Sequence, residues 1–209
     1  MIEIQDLTFN YETHVSFHFP DFMIKNKDHL LISGPSGSGK TTLLHLLCGL
    51  LKPNNGKIVL NDKEIAKFSA RKMDKFRGNN IGIVFQKPYF IDSLTVLENI
   101  ELMAWLAKGN KQTDLAIKLL ERLDLARHIR KKCYELSAGQ QQRLSIVRAI
   151  VNKPSLLFAD EPTSSLDDSN CESVVELLFE VAETNDASLL VVTHDQRLKQ
   201  YFTKQYDLH

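Results

Sequence analysis

Apolar residues alternate with polar ones from Ile2 to Phe9, the period of a half-buried strand. Val15, Phe17 and Phe19 repeat that period and predict a second strand from Val15 to Phe22. A third, His29 to Ser33, carries the run Leu30-Leu31-Ile32. Short apolar runs of strand length recur at Lys57 to Leu60, Ile81 to Phe85, Leu156 to Ala159 and Ser188 to Thr193. Between them the period lengthens. Leu43, Leu44, Leu46, Leu47 and Leu50 give the segment from Thr42 to Leu51 an apolar face too wide for a surface helix, so it predicts a buried one. Pro53-Asn54-Asn55-Gly56 is a turn. From Leu94 to Ile150 the chain is mostly helical in pattern, with Leu115, Ile117, Leu119, Leu120 and Leu123 marking an amphipathic helix over Thr113 to Leu125. A further helix, Ser169 to Glu183, separates the last two strands. The simplest architecture is a parallel α/β core interrupted by a helical insert, with no internal repeat and no low-complexity tract.

Composition narrows the picture only slightly. The chain of 209 residues suits one domain of ordinary size, and 43% hydrophobic with 25% charged residues is usual for a folded soluble chain. Zero formal net charge provides no global field to gather nucleic acid or anionic lipid, so no nucleic-acid partner is expected. Cys48, Cys133 and Cys171 lie far apart, in neither zinc-ligand nor redox spacing, and fit a reducing cytosol. The start, Met1 to Asp6, has no signal-peptide character. The run Leu43 to Leu51 is interrupted by His45 and is too short to cross a bilayer. Any membrane task is therefore expected to need a second chain.

The chemistry concentrates in a few segments. Gly34-Pro35-Ser36-Gly37-Ser38-Gly39-Lys40-Thr41 is a complete G-x-x-x-x-G-K-[ST] loop between a strand and a helix. Its glycines let successive N–H groups curl toward phosphate oxygens, and the helix that follows adds the positive end of its dipole. Lys40 is expected to reach the β- and γ-phosphates, and the Thr41 hydroxyl to bind Mg²⁺. Leu156-Leu157-Phe158-Ala159 ends in Asp160 and Glu161: the first acid suits Mg²⁺ held through water, the second an attacking water. Ser137 predicts the cap of a helix running through Arg148, and with Gly139 beside it that N-terminus is a second anion site. One nucleotide hardly needs two cradles, so the second is expected to close over nucleotide held by another subunit.

At this point the chain resembles the ATP-binding subunits of ABC transporters. Leu136-Ser137-Ala138-Gly139-Gln140 is similar to the family's signature, Gln86 to its Q-loop glutamine, Ser165-Leu166-Asp167 to its D-loop, and His194 to its switch histidine. Tyr11 sits where the family has its adenine-stacking aromatic. The resemblance covers almost the whole chain, and its motifs look closest to the lipoprotein-releasing and macrolide-efflux group. It implies a P-loop NTPase core of RecA-like type with an N-terminal antiparallel β portion and an inserted α-helical subdomain. Residues 1–90 and 154–209 would form the nucleotide-binding core, and about 91–153 the signature subdomain.

It also implies ATP and Mg²⁺ as ligands. Gly34, Pro35, Ser36, Gly37, Ser38, Gly39, Lys40 and Thr42 would cradle phosphates. Thr41 and Gln86 would ligate Mg²⁺, with Asp160 in its outer shell. Glu161 would be the general base and His194 would contact the γ-phosphate, while Gln86 completes the catalytic set. Ser137, Gly139 and Gln140 would bind the opposite subunit's nucleotide, and Asp167 would couple the two sites of a homodimer or paired ATPase. The region from Gln86 to Asp92, with Tyr89, Phe90 and Ile91 as an exposed apolar cluster, would meet an integral membrane permease-type subunit. The resulting location is cytoplasmic, peripheral on the inner face of the cell membrane through that partner.

The chain departs from the family pattern at two places. Ala138 stands where glycine is usual, and the extra methyl crowds or restricts the loop; activity is expected to survive because Gly139 keeps the closest approach. The chain also stops at Asp207-Leu208-His209, where relatives commonly continue, so no C-terminal regulatory domain is expected. A DNA-associated ATPase of the same family would place a long coiled coil or zinc modules before the signature, and neither a heptad run nor a cysteine pair is there. A P-loop kinase would not account for Ser137, Asp167 and His194 together. An ATPase working a membrane partner to control a periplasmic enzyme stays open beside transport.

Overall fold

The first sheet is built around β1 (Ile2–Asn10), whose residues Ile2, Ile4, Leu7 and Phe9 are buried. Ile4 and Leu7 are three apart, which strict alternation forbids on one face. An irregularity resolves the conflict: Asp6 takes a φ of 47°, and the pairing with β5 (Asn55–Leu60) shifts between Gln5 and Thr8. The computed structural model describes residues 1–11, 15–164 and 166–209. Of the D-loop-like segment, Ser165 lies outside the described residues.

The single strand expected from Val15 to Phe22 is instead two, β2 (Ser16–His18) and β3 (Phe22–Ile24). Both pair antiparallel with β1 in one continuous register. Between them Pro20 has no N–H for a ladder. The Phe19 N–H still reaches the Leu7 carbonyl at 2.9 Å, and Asp21 Oδ1 accepts from the Asp6 N–H at 2.8 Å. A short β6 (Lys63–Glu64) adds to β5 at the other edge.

The second sheet contains β4 (His29–Ser33), β7 (Ile81–Val84), β8 (Leu156–Asp160), β9 (Ser188–Thr193) and β10 (Gln205–Asp207). Their order is β10-β4-β9-β8-β7 and all pairings are parallel. A parallel sheet is covered on both faces, which is why Leu189, Leu190, Val191 and Val192 are all buried without alternation. Period two still sorts them. Leu30, Ile32, Phe158, Leu190 and Val192 pack with the leucines of α1 (Lys40–Leu47) and the first sheet. Leu31, Leu157, Ala159, Leu189 and Val191 pack with the helices on the other face. Those are α3 (Val96–Lys108), α4 (Thr113–Arg122), α5 (Ala138–Ile150) and α6 (Asp168–Thr184).

A helix that the apolar pattern does not announce, α2 (Ala70–Asn80), lies between β6 and β7. Only Met73 and Phe76 of it are buried, at i and i+3 inside a strongly charged run, so its periodic signal is weak. Its start is local: Ser69 Oγ accepts from the Lys72 N–H. The helix α3 opens on a capping box, Thr95 with Glu98, and ends at Gly109, whose φ is 74°.

Where α5 lies against β7, Gly82 is required by contact: a Cβ there would stand 2.5 Å from the Ala149 carbonyl oxygen. Gly82→Ala is expected to lower stability by roughly 1–3 kcal/mol through this overpacking, read as a fall in the denaturant midpoint. An unchanged midpoint would show that α5 is not held this closely.

Candidate active site

In a parallel sheet the loops leaving the carboxyl ends of the strands share one edge. Here β4 leads into the phosphate loop, β8 ends at Asp160, β9 is followed by His194 and β7 by Phe85-Gln86. The sheet order places these four ends side by side. Ser36, Gly37, Gly39, Lys40, Thr41, Thr42, Gln86, Glu161 and His194 line one cavity of about 390 Å³, together with Phe17. Every one of them except Phe17 is a residue picked out from the sequence.

The loop has the conformation its glycines allow. Gly37 and Gly39 take φ values of 85° and 92°, which L side chains rarely adopt. Gly39 is also the N-cap of α1 and provides no side-chain cap, and no acidic residue follows in the first turn. The positive end of α1 is thereby left to an incoming anion. Gly34 is needed for another reason, since a Cβ there would collide with the Leu208 carbonyl oxygen. Leu208 N–H in turn donates to the Ser33 carbonyl at 2.7 Å, and Ser33 Oγ donates to Asp207. The segment Asp207-Leu208 therefore buttresses the phosphate loop.

Lys40 is buried, and its Nζ donates to the carbonyls of Gly34 and Pro35, both at 2.9 Å, with Glu161 Oε1 at 3.8 Å. Ser38 Oγ is buried with no hydrogen-bond partner among the described residues. A phosphate oxygen fits this donor set: an orphaned hydroxyl, a buried ammonium and a helix end without a cap. Thr41 Oγ1 donates to Asp160 Oδ1 at 3.2 Å. Burial raises the Asp160 carboxyl above its ordinary value, the Thr41 bond opposes this, and the neighbouring Glu161 charge adds to it. Thr41 and Asp160 form a hard-oxygen pair of the kind Mg²⁺ takes, and a cation there offsets the cost of burying the carboxylate.

Adjacent strand residues point to opposite faces, yet Asp160 and Glu161 serve the same edge. The chain achieves this by turning: Glu161 has a φ of 46°. For a non-glycine residue this conformation is strained by about 1–2 kcal/mol. It is held by the Glu161 N–H to the Val192 carbonyl at 2.9 Å and by the carboxylate's own bonds. Thr193 Oγ1 donates to Oε2 at 2.7 Å, the His194 N–H to Oε1 at 3.1 Å, and His194 Nδ1 to Oε1 at 2.8 Å. A carboxylate only accepts, so the proton of that last bond lies on Nδ1. The His194 ring is otherwise exposed.

Gln86 lines the cavity, and its Nε2 stands 3.5 Å from Ser164 Oγ. Tyr11 is not among the described residues that line the cavity. Its hydroxyl lies 3.1 Å from Thr42 Oγ1, and its ring meets Phe9 and Phe17 edge-on. Phe17 is the aromatic on the cavity wall, close enough that a Cβ at Gly39 would be 2.6 Å from its ring. Sequence reasoning misses Phe17 because it registers only as a strand residue.

The α5 N-terminus contributes nothing to this cavity. Ser137 Oγ accepts from the Gln140 N–H at 3.4 Å and Gln140 Oε1 from the Ser137 N–H at 2.9 Å, a reciprocal cap. A Cβ at Gly139 would meet nothing within 4 Å, so this end is open to approach. Asp167 caps α6, its Oδ1 accepting from the Asn170 N–H at 2.9 Å. The three cysteines are buried away from the cavity, and burial pushes the Cys133 thiol up to about 11. Among the described residues no helix is long and apolar enough to cross a membrane.

Residues 18–164 match the ABC transporter family model. The lipoprotein-releasing system ATP-binding protein LolD of Buchnera aphidicola subsp. Schizaphis graminum is 40% identical over 176 residues, 83% of this chain and 77% of that protein. The structure of a bacterial ABC transporter cassette solved as a dimer superposes with a TM-score of 0.89 at 32% identity, covering 100% of this chain and 94% of that one. The same cassette in a post-hydrolysis dimer bound to ADP and Pi gives 0.89 at 31% identity, with the same 100% and 94% coverage.

Proposed function

This chain belongs to the ABC transporter family as its ATP-binding and ATP-hydrolysing subunit, and we propose how its residues perform that task. The subunit energises a membrane transporter. The observation that carries the residue assignment is the convergence of Lys40, Glu161 and His194 in one cavity, with the Thr41–Asp160 pair beside it. The loop from Gly34 to Thr42 cradles the triphosphate, and Lys40 exchanges its two carbonyls for the β- and γ-phosphates. Thr41 and Gln86, which line the same cavity, would hold Mg²⁺, with Asp160 accepting from the Thr41 hydroxyl. The ion, when bound, neutralises charge on the phosphates. Glu161 takes the proton of the attacking water, and its hold on His194 keeps that ring at the γ-phosphate. Tyr11 and Phe17, in edge-on contact, form the aromatic wall for adenine, with Phe17 on the cavity lining.

The open, capped N-terminus of α5, with Ser137, Gly139 and Gln140, faces away to the nucleotide of a second cassette. Two cassettes close over two ATP molecules and open after hydrolysis, and Asp167 couples the two sites across the pair. Residues 1–90 and 154–209 act as the nucleotide-binding core and about 91–153 as the signature arm. Because the LolD relative is the ATP-binding protein of a lipoprotein-releasing system, an export system handling lipid-anchored cargo is the reading that best fits the membrane partner.

The partner surface is the loop from Gln86 to Asp92. Tyr89 and Ile91 are exposed, but Phe90 packs into the helical core with Arg148 over its ring, so the exposed cluster is smaller than the sequence implies. Phe85 meets Tyr89 edge-on and lines an apolar groove of about 500 Å³ with Leu50, Ile83, Met103 and Leu106. A helix of the membrane subunit fits such a groove. Tagged chain held with ATP·Mg²⁺ is expected to capture a multi-span protein from detergent-solubilised membranes. Tyr89→Ala with Ile91→Ala is expected to cut recovery about tenfold while leaving the isolated subunit's ATPase rate unchanged. Equal recovery would move the docking site elsewhere, and recovery of soluble proteins alone would overturn the membrane role.

A further inference from the structure

A second polar cluster lies behind the Glu161–His194 pair, centred on Arg197. Its guanidinium engages Asp195 through Nε, at 2.9 Å from Oδ1, and through Nη2, at 2.7 Å from Oδ2. Nη1 donates to Asp168 Oδ1 at 2.6 Å and Nη2 to the Leu166 carbonyl at 3.2 Å. Leu166 and Asp168 lie at the entrance of α6. Asp195 Oδ2 also accepts from Thr163 Oγ1 at 2.9 Å, and Thr163 is wholly buried. The Asp195 N–H donates to Thr193 Oγ1 at 3.0 Å, and that hydroxyl donates onward to Glu161 Oε2 at 2.7 Å. A continuous line of hydrogen bonds thus runs from the α6 entrance through Arg197, Asp195 and Thr193 to the Glu161 carboxylate.

Arginine is the side chain this junction requires. One planar fork serves a carboxylate on one side and a carbonyl with a second carboxylate on the other, whereas an ammonium is a single point charge on a flexible stem. The Asp195 carboxyl is held down to about 2, first by its bonds from Arg197, so the pair stays charged across neutral pH. The Asp168 side chain is 93% exposed, which places the far end of the line at the surface.

We infer that Arg197 is a positioning residue that clasps the α6 entrance to the segments bearing Glu161 and His194, so that displacement of that entrance by a second cassette is transmitted to the general base. The inference rests on the reading of Glu161 as base and of α6's entrance as part of the cassette-to-cassette surface. It concerns geometry at the base and leaves the phosphate cradle alone.

The test is Arg197→Lys in the otherwise unchanged chain and in the Glu161→Gln background, with ATP hydrolysis, thermal unfolding and ATP-dependent dimerisation measured for each. The expected result is a kcat about tenfold lower, with KM for ATP within about twofold. Dimerisation of the double variant is expected to be about tenfold weaker than that of Glu161→Gln alone. Asp168→Asn, at an exposed side chain, is expected to show the same split at about threefold. Unchanged kcat and dimerisation in both variants would overturn the inference. So would a kcat loss accompanied by a raised KM and a lowered unfolding midpoint, the pattern of a merely structural contact. Failure of the unchanged chain to hydrolyse ATP, or of Glu161→Gln to dimerise, would instead remove the underlying reading.

Discussion

Replacing Lys40 by alanine is expected to weaken ATP binding about 100-fold, close to 2.7 kcal/mol, the scale of losing charge-assisted hydrogen bonds to phosphate in a buried site. Lys40 is 6% exposed, and its ammonium is bound to two carbonyls of the loop it must serve. Those bonds hold the ammonium within the loop, so little side-chain freedom remains to be lost when phosphate replaces the carbonyls. Removing it also takes away the ammonium that stands 3.8 Å from Glu161 Oε1. Lys40→Met separates these effects, because it keeps the apolar stem and its packing. Titration with a fluorescent ATP analogue, beside thermal unfolding, reads both. Both variants are expected to lose affinity alike, with Lys40→Met keeping the higher unfolding midpoint. Undiminished affinity in both would contradict the phosphate-loop assignment.

Glu161→Gln is expected to lower kcat by about 1,000-fold, within the range of general-base removal, while ATP affinity stays near that of the unchanged chain. The amide oxygen of glutamine can still accept from Thr193 and from the His194 N–H, so the strained turn with φ of 46° keeps its supports. What is lost is the ability to accept a proton from water. Since opening follows hydrolysis in the proposed cycle, the variant is expected to accumulate as an ATP-bound dimer, seen as a doubling of mass by light scattering. Hydrolysis at the rate of the unchanged chain would remove Glu161 from the base role. Slow hydrolysis without dimers would keep the base and overturn the cassette pairing.

The parts of the site that depend on consecutive residues are legible in the chain alone. A phosphate loop is a local object: its glycines, lysine and threonine work through neighbouring backbone groups, and its strand and helix are adjacent in the chain. The cap of α5 is local in the same way, since Ser137 and Gln140 are three residues apart. The split of the Val15 to Phe22 segment escapes a reading by period because the alternation is intact on both sides of the break. Its two halves even keep one register against β1. The helix α2 escapes it because only two of its residues reach the core.

Short-range sterics, periodicity and hydrogen bonding thus suffice to mark most strands and helices, the turn of the phosphate loop and the two acids at the end of β8. They do not suffice to bring the carboxyl ends of β4, β7, β8 and β9 side by side, which the order of the folded sheet settles. The same folding makes Thr193 and His194 hold Glu161, sets Phe17 on the cavity wall, and carries Arg197 to the entrance of α6. Most of these contacts join residues far apart in the chain, and which of them meet is set by strand order and register. Period two marks which face of a strand is buried and is silent on which strand lies beside it.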